Sequence, residues 1–158
     1  MQDRPIYDLL KRDHETVSEL LHKAREAKGD EARELLVEIT RELNAHARAE
    51  EAVLYAHLLH NERTRAKILE ALEEHKQVDV LLADLARLPP RDERFVAKLD
   101  VVADNVGHHV DEEEGELFPL ARQILGEKES VEFGRRFLAE RERIMRDMSG
   151  LVAEDAAE

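Results

Sequence analysis

Apolar residues recur at three-to-four spacing along most of the chain, the period of an amphipathic helix. Ile6, Leu9, Leu10, Val17, Leu20, Leu21 and Ala24 form a first stripe and predict a helix over 6–27, with Lys28-Gly29-Asp30 supplying the stop and the N-cap of the next helix. Leu35 or Leu36, Ile39, Leu43, Val53 and Leu54 predict a second helix over 31–60. Ile68, Ala71 or Leu72, Val78, Leu82 and Leu85 predict a third, from a cap near Asn61 to residue 88, where Pro89-Pro90 ends it. Phe95, Leu99, Val102, Val106, Leu117 and Leu120 predict a fourth over 92–125, in which Pro119 kinks the helix or marks its last turns and Gly126 reads as the C-cap. A shorter fifth segment, 130–152, carries Phe137, Ile144, Met145, Met148 and Val152 on one side, and residues 154–158 read as a frayed end.

Four long helices with short connections predict an all-α, up-down-up-down antiparallel four-helix bundle with an additional C-terminal helix. The expected division is a bundle over 1–127 and a helix over 128–158 that packs on it or serves as a homo-oligomer interface. Composition agrees: Ala, Leu, Glu, Lys and Arg make up more than half of the 158 residues, with only six Gly and four Pro. The net charge of −13 argues against nucleic acid and anionic membrane as partners. The absence of cysteine excludes disulfides, thiolate metal sites and thiol catalysis. No apolar run approaches the roughly 20 residues of a membrane span, and Met-Gln-Asp-Arg-Pro does not resemble a signal peptide, so a cytoplasmic protein is expected.

The eight histidines change the picture. His14, His46, His75 and His109 each stand where a stripe calls for a core apolar residue, and His46/Glu50 and His109/Glu113 share a helix face at a spacing of four. Each of the four lies about 13 to 17 residues from the connection to its neighbouring helix, so at ~1.5 Å per residue they meet at one level of an antiparallel bundle, with Glu50 and Glu113 in the same layer. The chain also reads as a duplication. His46-Ala-Arg-Ala-Glu50-Glu51-Ala-Val-Leu54-Tyr55 aligns with His109-Val-Asp-Glu-Glu113-Glu114-Gly-Glu-Leu117-Phe118, and each follows a lone histidine by 32 or 34 residues. Two ionised glutamates buried among four imidazoles are costly unless a cation neutralises them. The alternative is a polar layer of His–Glu hydrogen bonds.

Imidazole with carboxylate suits iron, zinc, copper, nickel and manganese. Six ligands are too many for one tetrahedral zinc, whereas two glutamates at the centre of a layer can bridge two ions. With an oxo or hydroxo bridge, two six-coordinate ions would keep two positions for a side chain, water or a small molecule. The ferritin-like plan needs two Glu-x-x-His motifs, and only Glu19-x-x-His22 is present.

His14, His46-x-x-x-Glu50, His75 and His109-x-x-x-Glu113, with Glu51 and the Leu54-Tyr55 and Leu117-Phe118-Pro119 sequences that follow, resemble the hemerythrin-like HHE cation-binding family over roughly residues 6–125. The resemblance implies a non-haem di-iron centre, with Glu50 and Glu113 bridging, His14 and His46 on one iron, and His75 and His109 on the other. Oxygen-carrying hemerythrins have His-x-x-x-His on the third helix; here the second position is Asp79, a candidate additional ligand, an acceptor behind a ligand, or a solvent-facing residue. That departure weakens plain oxygen carriage and opens a position for peroxide, oxygen or nitric oxide. Glu51 and Glu114 read as helix-surface charges or as side chains that swing inward. His22 and His57 read as partly exposed or as lining an access path, His60 sits at a helix end, His108 faces outward or toward the residues behind the ligands, and Tyr55 is a packing residue, a hydrogen-bond donor or a redox relay. The leading expectation is a di-iron protein that binds or reduces hydrogen peroxide, oxygen or nitric oxide. An iron- or oxygen-responsive sensor and a metal-storage module stay open beside it.

Overall fold

The computed structural model describes the backbone of residues 3–155 and the side chains of residues 3–150. Five long helices follow one another. They are α1 (Ile6–Glu26), α2 (Gly29–Glu50, continued by a π-helical turn Glu51–Tyr55 and by Ala56–Leu58), α3 (Arg65–Ala86), α4 (Glu93–Glu112, continued by a π-helical turn Glu113–Leu117 and by Phe118–Ile124) and α5 (Glu127–Asp155). There is no strand among the described residues. The first four form the expected bundle, and α5 packs on α1 and α2.

The stripes are the buried faces. One apolar core gathers Ile6, Leu10, Leu54, Leu58, Ile68, Phe118 and Phe137 at one end of the bundle. A second gathers Val17, Leu36, Ile39, Val78, Leu82, Phe95 and Leu99 at the other. Between them lie the buried polar side chains of His14, His46, Glu50, His75, His109 and Glu113. α5 seals the first core with Phe133 and Phe137, and Gly134 lets it close up. A Cβ there would stand 2.3 Å from the backbone oxygen of Arg4.

Most helix ends sit close to their sequence-predicted positions, with informative differences. α2 starts at Gly29, not at 31, and Gly29 takes φ +58°, a left-handed turn that only glycine enters cheaply. Asp30 lies inside the helix, so it is not the N-cap. α3 starts at Arg65, because residues 59–64 fold as a turn in which Asn61 Oδ1 accepts from the Arg63 amide at 2.9 Å. Asp92, the expected start of the fourth helix, is the N-cap of α4 and accepts from the Arg94 amide at 2.9 Å. Gly126 is not a helix C-cap; Leu125 ends α4, and the Gly126 carbonyl accepts from Ser130 in the first turn of α5. α5 begins three residues before the expected 130 and continues to Asp155, so of the expected frayed end only residues 156–158 lie outside the described residues.

The two π turns are the main departure from regular helix. In each, the backbone N–H after the turn bonds five residues back, Ala56 to Glu51 and Phe118 to Glu113. They fall within one residue of the same place in the two halves, directly at the His-x-x-x-Glu motifs. Pro119 follows only one of them, so proline is not their cause.

Candidate metal centre

The bundle brings all six predicted residues together. Each of the first four helices supplies one histidine. The rings of His14 and His46 lie 4.9 Å apart between centroids, and those of His75 and His109 lie 4.7 Å apart. Glu50 and Glu113 stand between the two pairs. His14 Nε2 is 3.3 Å from Glu113 Oε1, and His109 Nε2 is 3.4 Å from Glu113 Oε2. His75 Nε2 is 3.4 Å and His46 Nε2 3.8 Å from Glu50 Oε1. His75 and His109 approach each other Nε2 to Nε2 at 3.1 Å. Two sets with mutually close ligand atoms result: His14, His46, Glu50 and Glu113, and Glu50, His75 and His109.

A ring of carboxylates surrounds this layer. His46 Nδ1 donates to Asp13 at 3.1 Å, His75 Nδ1 to Glu51 at 2.8 Å, His109 Nδ1 to Glu74 at 3.0 Å and His14 Nδ1 to Glu114 at 3.0 Å. In each case the carboxylate comes from the preceding helix, and α4 closes the circle back to α1. An ionised carboxylate has no proton to give, so every Nδ1 carries a hydrogen and every Nε2 faces inward, where a bound cation would take its lone pair. Glu51 and Glu114 are therefore not free surface charges, as their sequence positions suggest. Arg48 steadies the ring on one side, bonding Glu51 and Asp79, each at 2.9 Å. Arg141 of α5 steadies it on the other, bonding Asp13 at 2.9 Å and pairing with Glu42.

Several inner atoms are left without a hydrogen-bond partner: His14 Nε2, His46 Nε2, both oxygens of Glu50 and Glu113 Oε1. Buried polar groups are almost always satisfied, so such a convergence of lone pairs fits a cation. Without one, the charges lean on each other. Burial alone would lower His75, but the Glu50 and Glu51 carboxylates outweigh it and raise the imidazole to about 9. Burial likewise opposes His109, yet Glu113 and Glu74 lift it to about 11. Burial would raise Glu113, and the imidazoles of His109 and His14 instead hold it well below the usual carboxylate range.

A search by family profile matches residues 5–121 to the Hemerythrin HHE cation binding domain. The chain belongs to the hemerythrin HHE cation-binding family. Its fold is similar to the crystal structure of an HHE cation-binding domain-containing protein from Mycobacterium kansasii, with a TM-score of 0.80, 26% identity, and coverage of 91% of this chain and 89% of that one. In sequence it is similar to a protein named DNA nickase from a Nostoc species, 27% identical over 150 residues. That match takes in 94% of this chain but 42% of the Nostoc protein, so the chain spans less than half the length of that relative.

Within this HHE bundle the remaining candidates separate clearly. Asp79 faces Arg48 instead of the layer and belongs to neither ligand set. His22 and His60 are exposed, His57 packs edge-on against Phe133, and His108 is mostly exposed beside Glu112. Tyr55 is buried, stacks on His75 at 5.3 Å, and donates its hydroxyl to Glu113 Oε2. Its counterpart in the other half, Phe118, stacks on His14 at 6.4 Å and has no hydroxyl to offer Glu50. On the opposite side of the layer an apolar chamber of about 40 Å³ touches all four histidines and is walled by Val17, Val78, Val106 and Val110. A groove of about 350 Å³ between α1 and α4 shares His14, Val106 and Val110 with it and runs out past Ser18 and His22. No helix of the described residues is long and apolar enough to cross a membrane.

Proposed function

We propose that the layer holds two iron ions, one on His14 and His46 and the other on His75 and His109, with Glu50 and Glu113 bridging, and that it binds or reduces hydrogen peroxide, oxygen or nitric oxide. The convergence of partnerless buried Nε2 and carboxylate atoms carries this reading. When bound, a pair of irons supplies redox equivalents and open coordination positions. The chain's own residues do the rest. The outer carboxylates fix each imidazole's tautomer and raise its basicity. The valine-walled chamber suits a small neutral molecule and disfavours anions. The Tyr55 hydroxyl donates a hydrogen bond to Glu113 Oε2, on the face away from the chamber. A cytoplasmic setting, where ferrous iron is available, completes the reading, and the 1–127 bundle is the part that works. The net charge of −13 repels a phosphate backbone, so the activity in the Nostoc relative's name is not extended to this chain.

The test is iron content and an absorption spectrum of protein made with iron and purified in air. About two irons per chain are expected, with near-ultraviolet charge-transfer bands that vanish in His109→Ala and Glu113→Ala and that respond to peroxide or nitric oxide. A single zinc, or bands indifferent to all three ligands, would sink the proposal. A second reading, a sensor, draws on Arg141, through which α5 shares Asp13 with His46. It requires hydrogen-exchange protection of α5 to change on metal loading, and unchanged protection would eliminate it.

A further inference from the structure

The layer has a second, chemically different approach. Between α3 and α4 a cleft of about 140 Å³ has Glu70 and Glu116 on its walls and His109 and Glu113 among its lining residues. Lys67 is the one lysine or arginine in that lining among the described residues, and Glu116 pairs with it. Glu113 is buried and its Oε1 lacks a hydrogen-bond partner. Beside the cleft, Glu74, His108 and Glu112 bring three ligand atoms within 4.8 Å of one another. His108 Nε2 stands 3.2 Å from Glu112 Oε1 one helical turn on, and Glu74 reaches across from α3 while its Oε1 accepts from His109.

We propose that Glu74, His108 and Glu112 form a transient site for a divalent transition-metal cation, and that the acidic cleft beside it is the path by which metal enters the buried layer. The proposal rests on reading that layer as a metal centre. One imidazole and two carboxylates are a donor set that suits borderline divalent ions without fixing them permanently. A hydrated cation must exchange its waters for oxygen ligands step by step, and the cleft offers carboxylates along the way to Glu113. The valine-walled chamber presents an almost wholly apolar surface, and the three carboxylates in its lining are already engaged, Asp13 by Arg141, Asp79 by Arg48 and Glu74 by His109, so a cation there would be desolvated with little compensation. Cations and neutral ligands therefore reach the layer from different sides. Glu74 belongs to both ends of the cation path, as a donor atom of the outer site and as the acceptor that orients His109.

The test is stopped-flow loading of metal-free protein with cobalt(II), followed by the visible bands of the bound ion. In the wild type the observed rate should rise hyperbolically with cobalt concentration, because a bound state precedes entry. In His108→Ala/Glu112→Gln, which leaves Glu74 and all six layer residues intact, the rate should become linear in cobalt and fall by about ten-fold, within the range for loss of electrostatic focusing. Final stoichiometry and far-ultraviolet circular dichroism should stay unchanged. Glu34→Gln/Glu38→Gln, on the exposed part of α2, removes more negative charge and should leave the rate within about two-fold. A linear wild-type dependence, an unslowed double variant, or equal slowing by the α2 control would each overturn the entry site while the metal-centre reading survives. Failure of the wild type to take up cobalt at all would overturn both.

Discussion

Tyr55→Phe isolates one bond of the layer. Tyr55 is buried, and its hydroxyl donates to Glu113, which is itself buried. Phenylalanine keeps the ring and its stacking on His75 and removes only the donor. A hydrogen bond to a charged acceptor contributes about 1.5–3 kcal/mol, so the metal-free variant should lose about 2 kcal/mol. For a chain of this size that lowers Tm by about 4–8 °C. The chain contains its own control. Tyr7 is also buried, but its hydroxyl has no hydrogen-bond partner. Tyr7→Phe removes an unsatisfied donor and should leave Tm unchanged or raise it. The assay is thermal unfolding of chelator-treated protein near pH 7, followed by circular dichroism at both heating and refolding. Equal shifts in the two variants, or a Tyr55→Phe shift below about 1 °C, would refute the assignment of that bond.

Three further outcomes are expected. His75 and His109 are held at about 9 and about 11, above the unfolded imidazole value, so they bind protons more tightly folded than unfolded. Their stabilisation of the metal-free protein is complete below an unfolded pKa of about 6.5 and is lost as pH rises through about 9 for His75 and about 11 for His109, so metal-free Tm should fall between about pH 7 and 11 while loaded Tm falls less. Asp13→Asn weakens the hold on His46 and should reduce metal affinity about 10- to 100-fold in competition with a chromophoric chelator, whereas Asp8→Asn, exposed on the same helix, should not. Gly134→Ala forces a Cβ to within 2.3 Å of the Arg4 carbonyl and should cost about 1–3 kcal/mol in urea unfolding.

The helices and the His/Glu layer were legible because both depend on the 3.6-residue period and on rise per residue, which survive from sequence to structure with little adjustment. The carboxylate ring was not, because its members lie one residue off the buried face. Asp13 and Glu74 directly precede His14 and His75, and Glu51 and Glu114 directly follow Glu50 and Glu113. On a single helix such neighbours point about 100° away and read as surface. Only the neighbouring helix turns that direction into a contact. Their recurrence at corresponding places in the two halves was the available signal. Tyr55 escaped assignment for a related reason. Five residues beyond Glu50 it leaves the face in a regular helix, but the π turn, with its five-residue bond, returns it to the layer. Asp79 lies on the face of His75 by spacing, and Arg48, from a different helix, draws it outward.

The polar layer divides the interior into two apolar cores joined by continuous helices. Empty, that waist is a plane of buried carboxylates and imidazoles that adhere only through their own protons. Filled, it would be cross-linked by ligands from four helices at once. A ligand that binds only the folded chain lowers the fraction of time the chain spends open, and open chains are what proteases remove. Metal supply would then govern how long each molecule lasts in the cell as well as what it does, so abundance would follow metal.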